Sequence, residues 1–232
     1  MKLAIMQPYF FPYIGYFQLI AAVDLFVVYD NIKYTKKGWI NRNRILRGGK
    51  DATFSLALKK DSDYLDIRDR HLAVDFNRQK LLNQLRDAYM HAPYFKQTFP
   101  LVEGIVQYKN TNLFCFLHHS ISQICEHLDI KTNIKISSDI AIDHSLKNKE
   151  KVLALCKAVN ARTYVNPIGG IDLYSKETFE HENIELKFIQ TKYFEYPQFD
   201  EEFLPWLSII DVLMFNSLDK IQSHILTNYE LI

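Results

Sequence analysis

The sequence lacks the features that mark several well-defined classes of protein. Its 232 residues include three cysteines, Cys115, Cys125 and Cys156, and no C-x-x-C spacing. An odd number without that spacing argues against a disulfide framework or a zinc site, so we expect buried thiols. No run approaches 18 apolar residues, so we expect no membrane-spanning segment. No separate apolar segment with a cleavage site follows Lys2, and we expect a cytoplasmic protein.

Charge and motifs exclude further classes. The formal net charge is +1, so no global field draws the protein to nucleic acid, and we expect no nucleic-acid partner. No H-x-x-x-H, H-E-x-x-H, G-x-S-x-G or G-x-G-x-x-G motif is present. The adjacent His118 and His119 would point about 100° apart on a helix, so they do not make a metal-binding face. We therefore expect no metal, and the sequence identifies no cofactor.

The most informative stretch that is present covers residues 6–44. An apolar segment, Lys2 to Met6, predicts a buried strand. A loop with two prolines follows, then a predicted helix from Ile14 to Val23 and a second buried strand from Leu25 to Tyr29. This β–α–β order is typical of parallel sheets, in which ligands bind at the carboxyl ends of the strands. Gln7, Tyr9 and Asp30 would lie there.

The remaining pattern predicts a single α/β domain with a mainly parallel central sheet and a mostly helical insert at about 76–130. No linker-like segment interrupts the chain. We expect a turn-rich segment between Pro93 and Pro100, and a buried helix from Trp206 to Phe215. The other main elements expected are a strand at 52–58, helices at 77–90, 112–128 and 149–159, and strands at 162–165 and 184–190.

A basic run follows the second predicted strand. Between Asn31 and Lys50 there are seven cations and no acid. Such a run is either a solvated surface loop or a phosphate-binding loop. Guanidinium and amide groups together suit phosphate recognition. The candidate phosphate-binding residues are Lys37, Asn41, Arg42, Asn43 and Arg44.

The loop after the first strand is a second candidate. Pro8 and Pro12 fix φ and stiffen it, as a preorganised ligand site requires. Gln7, Tyr9 and Tyr13 would then line a pocket, and a purely structural turn is the alternative. Two further residues, Gly169 and Gly170, follow a predicted strand. Their backbone could approach an anion, although an ordinary turn has the same pattern.

Two carboxylates are candidate general bases. Asp30 ends the second strand, where a capping role is the alternative to a catalytic one. Asp211 is the one carboxylate in an otherwise apolar predicted helix. Because burying an unpaired carboxylate is strongly unfavourable, Asp211 must form a structural polar contact or face a functional cleft.

The long opening motif resembles the WbqC-like protein family. The segments that carry the resemblance are MQPYFFPYIGYFQLI, DLFVVYD, KKGWINRNRI, HAPYF, KISS, YVNPIGG and PWLSIIDVLMFN, in this order. The resemblance implies an association with bacterial O-antigen and other surface-polysaccharide biosynthesis, with a suggested role in glycine transfer. It supplies no catalytic residues.

A fainter resemblance concerns the nucleotidyltransferase superfold, whose first helix opens with H-x-G-H. Tyr13-Ile14-Gly15-Tyr16 falls at the comparable place, and Gly15 would allow a phosphate to approach the helix. This implies a nucleotidyltransferase or Rossmann-like sheet. Neutral phenols cannot supply imidazolium charge, so the likeness does not establish nucleotidyl transfer.

Three functional hypotheses follow. The first is a transferase for a phosphate-bearing sugar nucleotide or activated sugar, with glycine as one possible transferred group. The second is a non-catalytic binding or scaffolding protein, and the third is a nucleotidyltransferase-like enzyme. The sequence leaves the oligomeric state open. We expect a pocket at the carboxyl ends of the first two strands, lined by Gln7, Tyr9, Tyr13, Asp30, Asn41, Arg42 and Asn43.

Overall fold

A central β-sheet with helices on both faces organises the protein. The computed structural model describes residues 1–199 and 202–232. The strands are β1 (Lys2–Met6), β2 (Leu25–Val28), β3 (Arg42–Arg47), β4 (Lys50–Ser55), β5 (Asn133–Ile136), β6 (Thr163–Pro167), β7 (Glu185–Thr191) and β8 (Tyr229–Leu231). The helices are α1 (Ile14–Ala21), α2 (Arg78–Tyr89), α3 (Phe95–Val106), α4 (Leu113–His127), α5 (Asn148–Ala158), α6 (Lys176–Glu180), α7 (Ile209–Phe215) and α8 (Leu218–Thr227).

The sheet has the strand order β5-β2-β1-β6-β7-β8. The first five strands of that order are parallel, and β8 pairs antiparallel with β7. If only these six strands are numbered along the chain, the order is 3-2-1-4-5-6, which is the order of doubly wound dinucleotide-binding sheets. The predicted α/β domain with a mainly parallel central sheet is confirmed.

The alternation of side chains along β1 and β2 divides the core into two layers. Leu3 and Ile5 point to the face covered by α5 and α6, whereas Ala4 points to the other face. That second face packs against α1, α8 and the helices of the insert. Both faces of the central strands are therefore buried, as their continuous apolar sequence requires.

The insert between β2 and β5 contains the β3–β4 hairpin and the helices α2, α3 and α4. The mostly helical insert is confirmed, but the turn-rich segment predicted between Pro93 and Pro100 is wrong. Pro100 lies inside α3. An interior proline costs about 3 kcal/mol of helix stability. Burial of Phe99, Val102 and Ile105 against the core offsets that cost.

The helix predicted from Trp206 begins later than expected. Trp206 has a positive φ of 60° and is 49% exposed. The helix α7 starts at Ile209, after Ser208, whose hydroxyl accepts a hydrogen bond from the backbone N–H of Ile210. The continuous apolar sequence on both sides of Ser208 concealed this boundary, although serine is a common N-cap residue.

Candidate functional site

The reversal point of the strand order defines where a ligand would bind. The chain passes from β5 to β6, which lie on opposite sides of β1. In open parallel sheets the ligand crevice lies at this switch point, beside the carboxyl ends of the strands. The residues that follow β1 and β6 therefore form the walls of the candidate site.

A pocket of about 390 Å³, which we call the central pocket, lies at the switch point. Gln7 and Tyr9 line it after β1, Asn166 at the end of β6, and Tyr29 and Tyr174 from neighbouring loops. The Gln7 amide donates a hydrogen bond of 2.8 Å to the Tyr9 hydroxyl. These side chains are neutral amides and phenols, which donate and accept hydrogen bonds without charge.

Gly169 and Gly170 also line the central pocket, and the two glycines differ. The amide of Asn166 occupies the place that a Cβ atom on Gly170 would need. Nothing lies within 4 Å of the corresponding position at Gly169. Gly170 is therefore required for close packing against Asn166, and only Gly169 has open space beside it.

A second pocket, of about 540 Å³, lies between the ends of β1 and β7 and the β3 strand. We call it the aromatic pocket, because its wall includes Tyr9, Tyr13, Trp39, Tyr193 and Trp206. Tyr9 also lines the central pocket, so the two pockets lie side by side.

Arg44 supplies the guanidinium of the aromatic pocket. It contacts the Asp51 carboxylate at 3.3 Å, donates to the carbonyl oxygen of Trp206, and lies 5.8 Å from the Trp39 ring centroid. The pocket therefore combines stacking surfaces with one cation, whose charge is partly balanced at an exposed ion pair.

The space beside Gly15 is filled by protein. A Cβ atom at this position would collide with the ring of Tyr13 and the hydroxyl of Thr191. Tyr16 is buried, and its hydroxyl donates to the carbonyl oxygen of Gln7. The expected phosphate approach at Gly15 is therefore wrong: this glycine permits close packing of the first loop against β7.

Asp30 is 2% exposed, and its carboxylate is part of a hydrogen-bond network. Its Oδ1 accepts hydrogen bonds from the Ser137 hydroxyl at 2.6 Å and from the backbone N–H of Ser138 at 2.9 Å. These contacts fix the turn after β5 to the end of β2. Asp30 lines neither the central nor the aromatic pocket.

Asp211 is fully buried in α7, where it accepts hydrogen bonds from three side chains. Tyr89 donates at 2.7 Å, Tyr196 at 2.7 Å and Gln198 at 2.6 Å. Burial raises the pKa of Asp211, and the three hydrogen bonds oppose that rise. The carboxylate projects from α7 into the core beside Tyr89 of the insert, and it lines neither pocket.

Only some residues of the basic run reach a pocket. Arg42 donates from Nε to the carbonyl oxygen of Gly38 at 3.1 Å and from Nη2 to that of Lys37 at 2.7 Å. These bonds hold its guanidinium on the loop. Of the five phosphate-binding candidates, Asn43 and Arg44 line the aromatic pocket, and Lys37, Asn41 and Arg42 do not.

Two asparagines of the run bind the protein backbone. Asn41 donates to the carbonyl oxygen of Leu56 and accepts from the Tyr34 hydroxyl. Asn43 is buried and donates to the carbonyl oxygens of Phe10 and Phe11. The Asn43 amide therefore joins the hairpin to the aromatic loop after β1, which positions the wall of the aromatic pocket, whereas the Asn41 amide joins the chain before β3 to the chain after β4.

Taken together, the structure brings part of the predicted site to one edge of the sheet. The residues that line the central or the aromatic pocket are Gln7, Tyr9, Tyr13, Asn43, Arg44, Gly169 and Gly170. Those that lie outside both are Asp30, Asp211, Lys37, Asn41 and Arg42.

Sequence reasoning missed a third pocket, of about 580 Å³, at the end of β2. Lys33, Lys147, Lys149 and Lys151 line it, and we call it the lysine pocket. It shares Tyr29 and Tyr174 with the central pocket. Three of these lysines fall within five residues at the start of α5, which follows a parallel strand, and that spacing was the available signal.

The described part of the chain contains no group of three or more histidine, cysteine or acidic side chains that could hold a metal ion. The three cysteines are free thiols. Burial raises the pKa of Cys125 and that of Cys156 to about 12, so these two thiols stay protonated. Within the described ranges, every helix is too short or too polar to cross a membrane.

Comparison with known proteins identifies the family. The model of the WbqC-like protein family matches residues 7–223, and the chain belongs to this family. It is similar to a Mycobacterium tuberculosis (strain ATCC 25618 / H37Rv) protein named "Uncharacterized protein Rv1507c", with 29% identity over 218 residues. That alignment covers 93% of each chain. No solved structure matches the sequence.

Proposed function

We propose that this protein is a transferase that binds a phosphate-bearing sugar nucleotide or another activated sugar at the carboxyl edge of its sheet. The observation that carries the proposal is the neutral polar central pocket at the switch point, flanked by an aromatic pocket. The WbqC-like resemblance adds surface-glycan assembly as the pathway and an amino acid such as glycine as the transferred group.

The central pocket suits a sugar ring of the substrate. Sugar hydroxyls both donate and accept hydrogen bonds, and the amides of Gln7 and Asn166 offer both functions. Burial raises the pKa of Tyr29 to about 12, so its hydroxyl stays a neutral donor at physiological pH. A pocket with a few directed polar groups among apolar side chains is the usual form of a small-molecule site.

The aromatic pocket suits a planar base. Trp39 and Trp206 are 42% and 49% exposed, so part of each indole is accessible to a ligand. Stacking of a nucleobase on an aromatic side chain contributes about 1–3 kcal/mol. Arg44 adds a positive charge at the same wall.

The proposal assigns no general base to Asp30 or Asp211, because neither lines the two pockets. The groups that do line the central pocket bind and orient. Holding donor and acceptor together can by itself contribute about 7–11 kcal/mol to lowering a barrier. A hydroxyl or amine of the sugar nucleotide that Gln7, Asn166 and the phenols hold would attack the carbonyl carbon of an activated glycyl donor. The new C–O or C–N bond replaces the bond to the activating group, which leaves with its electron pair, and the proton of the nucleophile passes to solvent.

Isothermal titration with UDP-linked and dTDP-linked sugars tests the proposal. We expect Trp39→Ala to weaken binding about tenfold through lost stacking, and Trp39→Phe to retain most of the affinity. Arg44→Ala should weaken binding about two- to fivefold, because it removes the cation beside the Trp39 ring. Arg47→Ala is the matched control, because Arg47 is exposed at the far end of β3.

Two outcomes would contradict the proposal. One is that no sugar nucleotide binds the wild type at millimolar concentration. The other is that Trp39→Ala and Arg44→Ala both bind like the wild type. A protein that binds partner enzymes but no sugar nucleotide would support the scaffolding alternative. Release of pyrophosphate from a nucleoside triphosphate would support the nucleotidyltransferase alternative.

A further inference from the structure

We propose that the lysine pocket is an anion site that binds the phosphate groups of the substrate. This inference rests on the proposed function for the identity of the ligand, but the pocket and its charge are independent of it. It places the phosphate on Lys151 and the lysines around it, and no longer on the candidates Lys37, Asn41, Arg42, Asn43 and Arg44.

Lys151 is the central residue of the pocket. It is 4% exposed, although lysine is rarely buried, and it lines the pocket wall. Its Nζ donates to the backbone carbonyl oxygen of Asn31 at 3.0 Å and lies 5.3 Å from the ring centroid of Tyr29. Among residues 1–199 and 202–232, no carboxylate forms an ion pair with it.

A buried ammonium group without a carboxylate partner is energetically unfavourable. Burial lowers the pKa of Lys151, while the charges of Asp66 and Asp30 partly oppose that change. The ammonium has three donors, and one of them is used by the Asn31 carbonyl. A bound phosphate would accept the remaining hydrogen bonds and supply the missing negative charge.

The rest of the lining strengthens the positive charge. Lys33, Lys147 and Lys149 are exposed side chains around the same pocket, and Asp66 is the one carboxylate within its described wall. Four ammonium groups therefore face one carboxylate. A phosphate ester or the diphosphate of a sugar nucleotide, each with about two negative charges at neutral pH, matches this excess better than a single carboxylate does.

The position of Lys151 is fixed by the network around Asp30. The Ser137 hydroxyl lies 2.6 Å from Asp30 Oδ1 and 2.8 Å from Asn31 Oδ1. The Asn31 amide in turn contacts His144 Nδ1 at 2.9 Å. Because both ends of the Asn31 side chain are held, the residue is fixed in place, and its backbone carbonyl oxygen orients the lysine. Asp30 is therefore a positioning residue for the anion site.

The place of the pocket also suits a substrate that extends across the sheet edge. The lysine and central pockets share Tyr29 and Tyr174, so a nucleotide with its base in the aromatic pocket and its ribose in the central pocket has its diphosphate beside the lysines. The first turn of α5, from Asn148, lines the same space, and backbone N–H groups at a helix start favour anions.

Inorganic pyrophosphate distinguishes the lysine pocket from the central and aromatic pockets, because it has neither a sugar nor a base. We expect it to bind the wild-type protein in isothermal titration and to raise its melting temperature. Lys151→Met should weaken pyrophosphate binding at least tenfold, and Lys149→Ala several-fold. Arg44→Ala and the exposed control Lys96→Ala should bind pyrophosphate like the wild type. The Lys151 Cε signal in NMR should show a raised pKa in the complex.

A folded Lys151→Met variant with unchanged pyrophosphate affinity would overturn the proposal, and so would loss of affinity in Arg44→Ala alone. If Lys151→Met does not fold, the triple variant of Lys33, Lys147 and Lys149 to alanine must lose affinity, since all three side chains are exposed. Retained affinity there would also overturn it.

The two proposals fail in different ways. If sugar nucleotides bind the wild type and Lys151→Met equally, the transferase proposal stands and the anion site is wrong. If pyrophosphate binding depends on Lys151 but no sugar nucleotide binds, the anion site stands and the transferase proposal is wrong.

Discussion

Two buried ionisable side chains, Asp211 and Lys151, differ in how completely the protein satisfies them. The Asp211 carboxylate is enclosed in the core and accepts hydrogen bonds from three side chains. The Lys151 ammonium has one backbone carbonyl as its partner and opens on a pocket of about 580 Å³. A buried charge whose hydrogen bonds are complete serves the fold, whereas one with spare donors beside a cavity is available to a ligand.

Among the variants that test this comparison, we expect the largest change in the free energy of unfolding for a substitution of Asp211. We expect Asp211→Ala to destabilise the protein by about 2–6 kcal/mol, because it leaves the hydroxyls of Tyr89 and Tyr196 without their acceptor in the core at about 1–3 kcal/mol each. Urea unfolding followed by circular dichroism measures it. A loss below about 1 kcal/mol would mean that the cluster does not stabilise the fold.

Removing one donor of the same cluster should have a smaller effect. Tyr196→Phe deletes the hydroxyl that lies 2.7 Å from Asp211 and leaves the other two donors in place. We expect a loss of about 1.5–3 kcal/mol, the range for a hydrogen bond to a charged group. The control is Tyr64→Phe, since Tyr64 is 83% exposed and should change stability by less than about 0.5 kcal/mol.

His224 is a third buried ionisable side chain, and it tests how pH changes the stability that such a side chain contributes. Its ring stacks on Phe194 and its Nε2 contacts the Asn228 amide at 2.9 Å. Burial lowers the pKa of His224 from 6.5 to about 4. The unfolded chain therefore binds a proton that the folded protein does not, so this contribution to stability is lost as the pH falls from 6.5 to 4.

The stability difference between the wild type and His224→Gln should therefore shrink by roughly 1–2 kcal/mol across that range. Urea unfolding of both proteins at several pH values measures it. The variant serves as the control for all other titrating groups. A difference that does not change with pH would show that the folded protein accepts the charged ring.

We expect the smallest change in the free energy of unfolding for a substitution of Lys151 in the protein without ligand. Replacing a buried, unpaired ammonium with an apolar side chain of similar length removes an unfavourable charge. We expect Lys151→Met to leave the free energy of unfolding unchanged or raise it by up to about 1 kcal/mol. A loss of 3 kcal/mol or more in urea unfolding would place Lys151 with Asp211 as a residue that serves the fold.

The main elements of the fold could be predicted because their side-chain pattern matched their burial. Lys2–Met6 and α5 appear within one or two residues of their predicted bounds. The helix α3 was missed because Pro93 and Pro100 are strong local signals against a helix. Tertiary burial of Phe99 and Val102 outweighs those signals, and such long-range contacts are not visible in a local window.

The site was predictable only where it follows the strands. Gln7, Tyr9 and Gly169 line the central pocket because each comes directly after a central parallel strand. The lysine pocket joins Lys33 to Lys151, more than a hundred residues apart, through the topology of the sheet. Conversely, Arg42 and Arg44 of the basic run lie two residues apart in sequence, but hydrogen bonds within the loop hold Arg42 away from the pockets.

The central position of β1 has a consequence for how the chain folds during synthesis. Leu3 pairs with Leu25 early, but its other neighbour is Tyr164, about 160 residues later. At roughly 5–20 residues per second, a ribosome needs about 10–30 s to deliver that strand. Until then the β6-facing edge of β1 lies open beside unburied apolar side chains. The nascent chain must therefore pass through a long aggregation-prone interval, and a chaperone that covers its first 160 residues should raise the yield of folded protein.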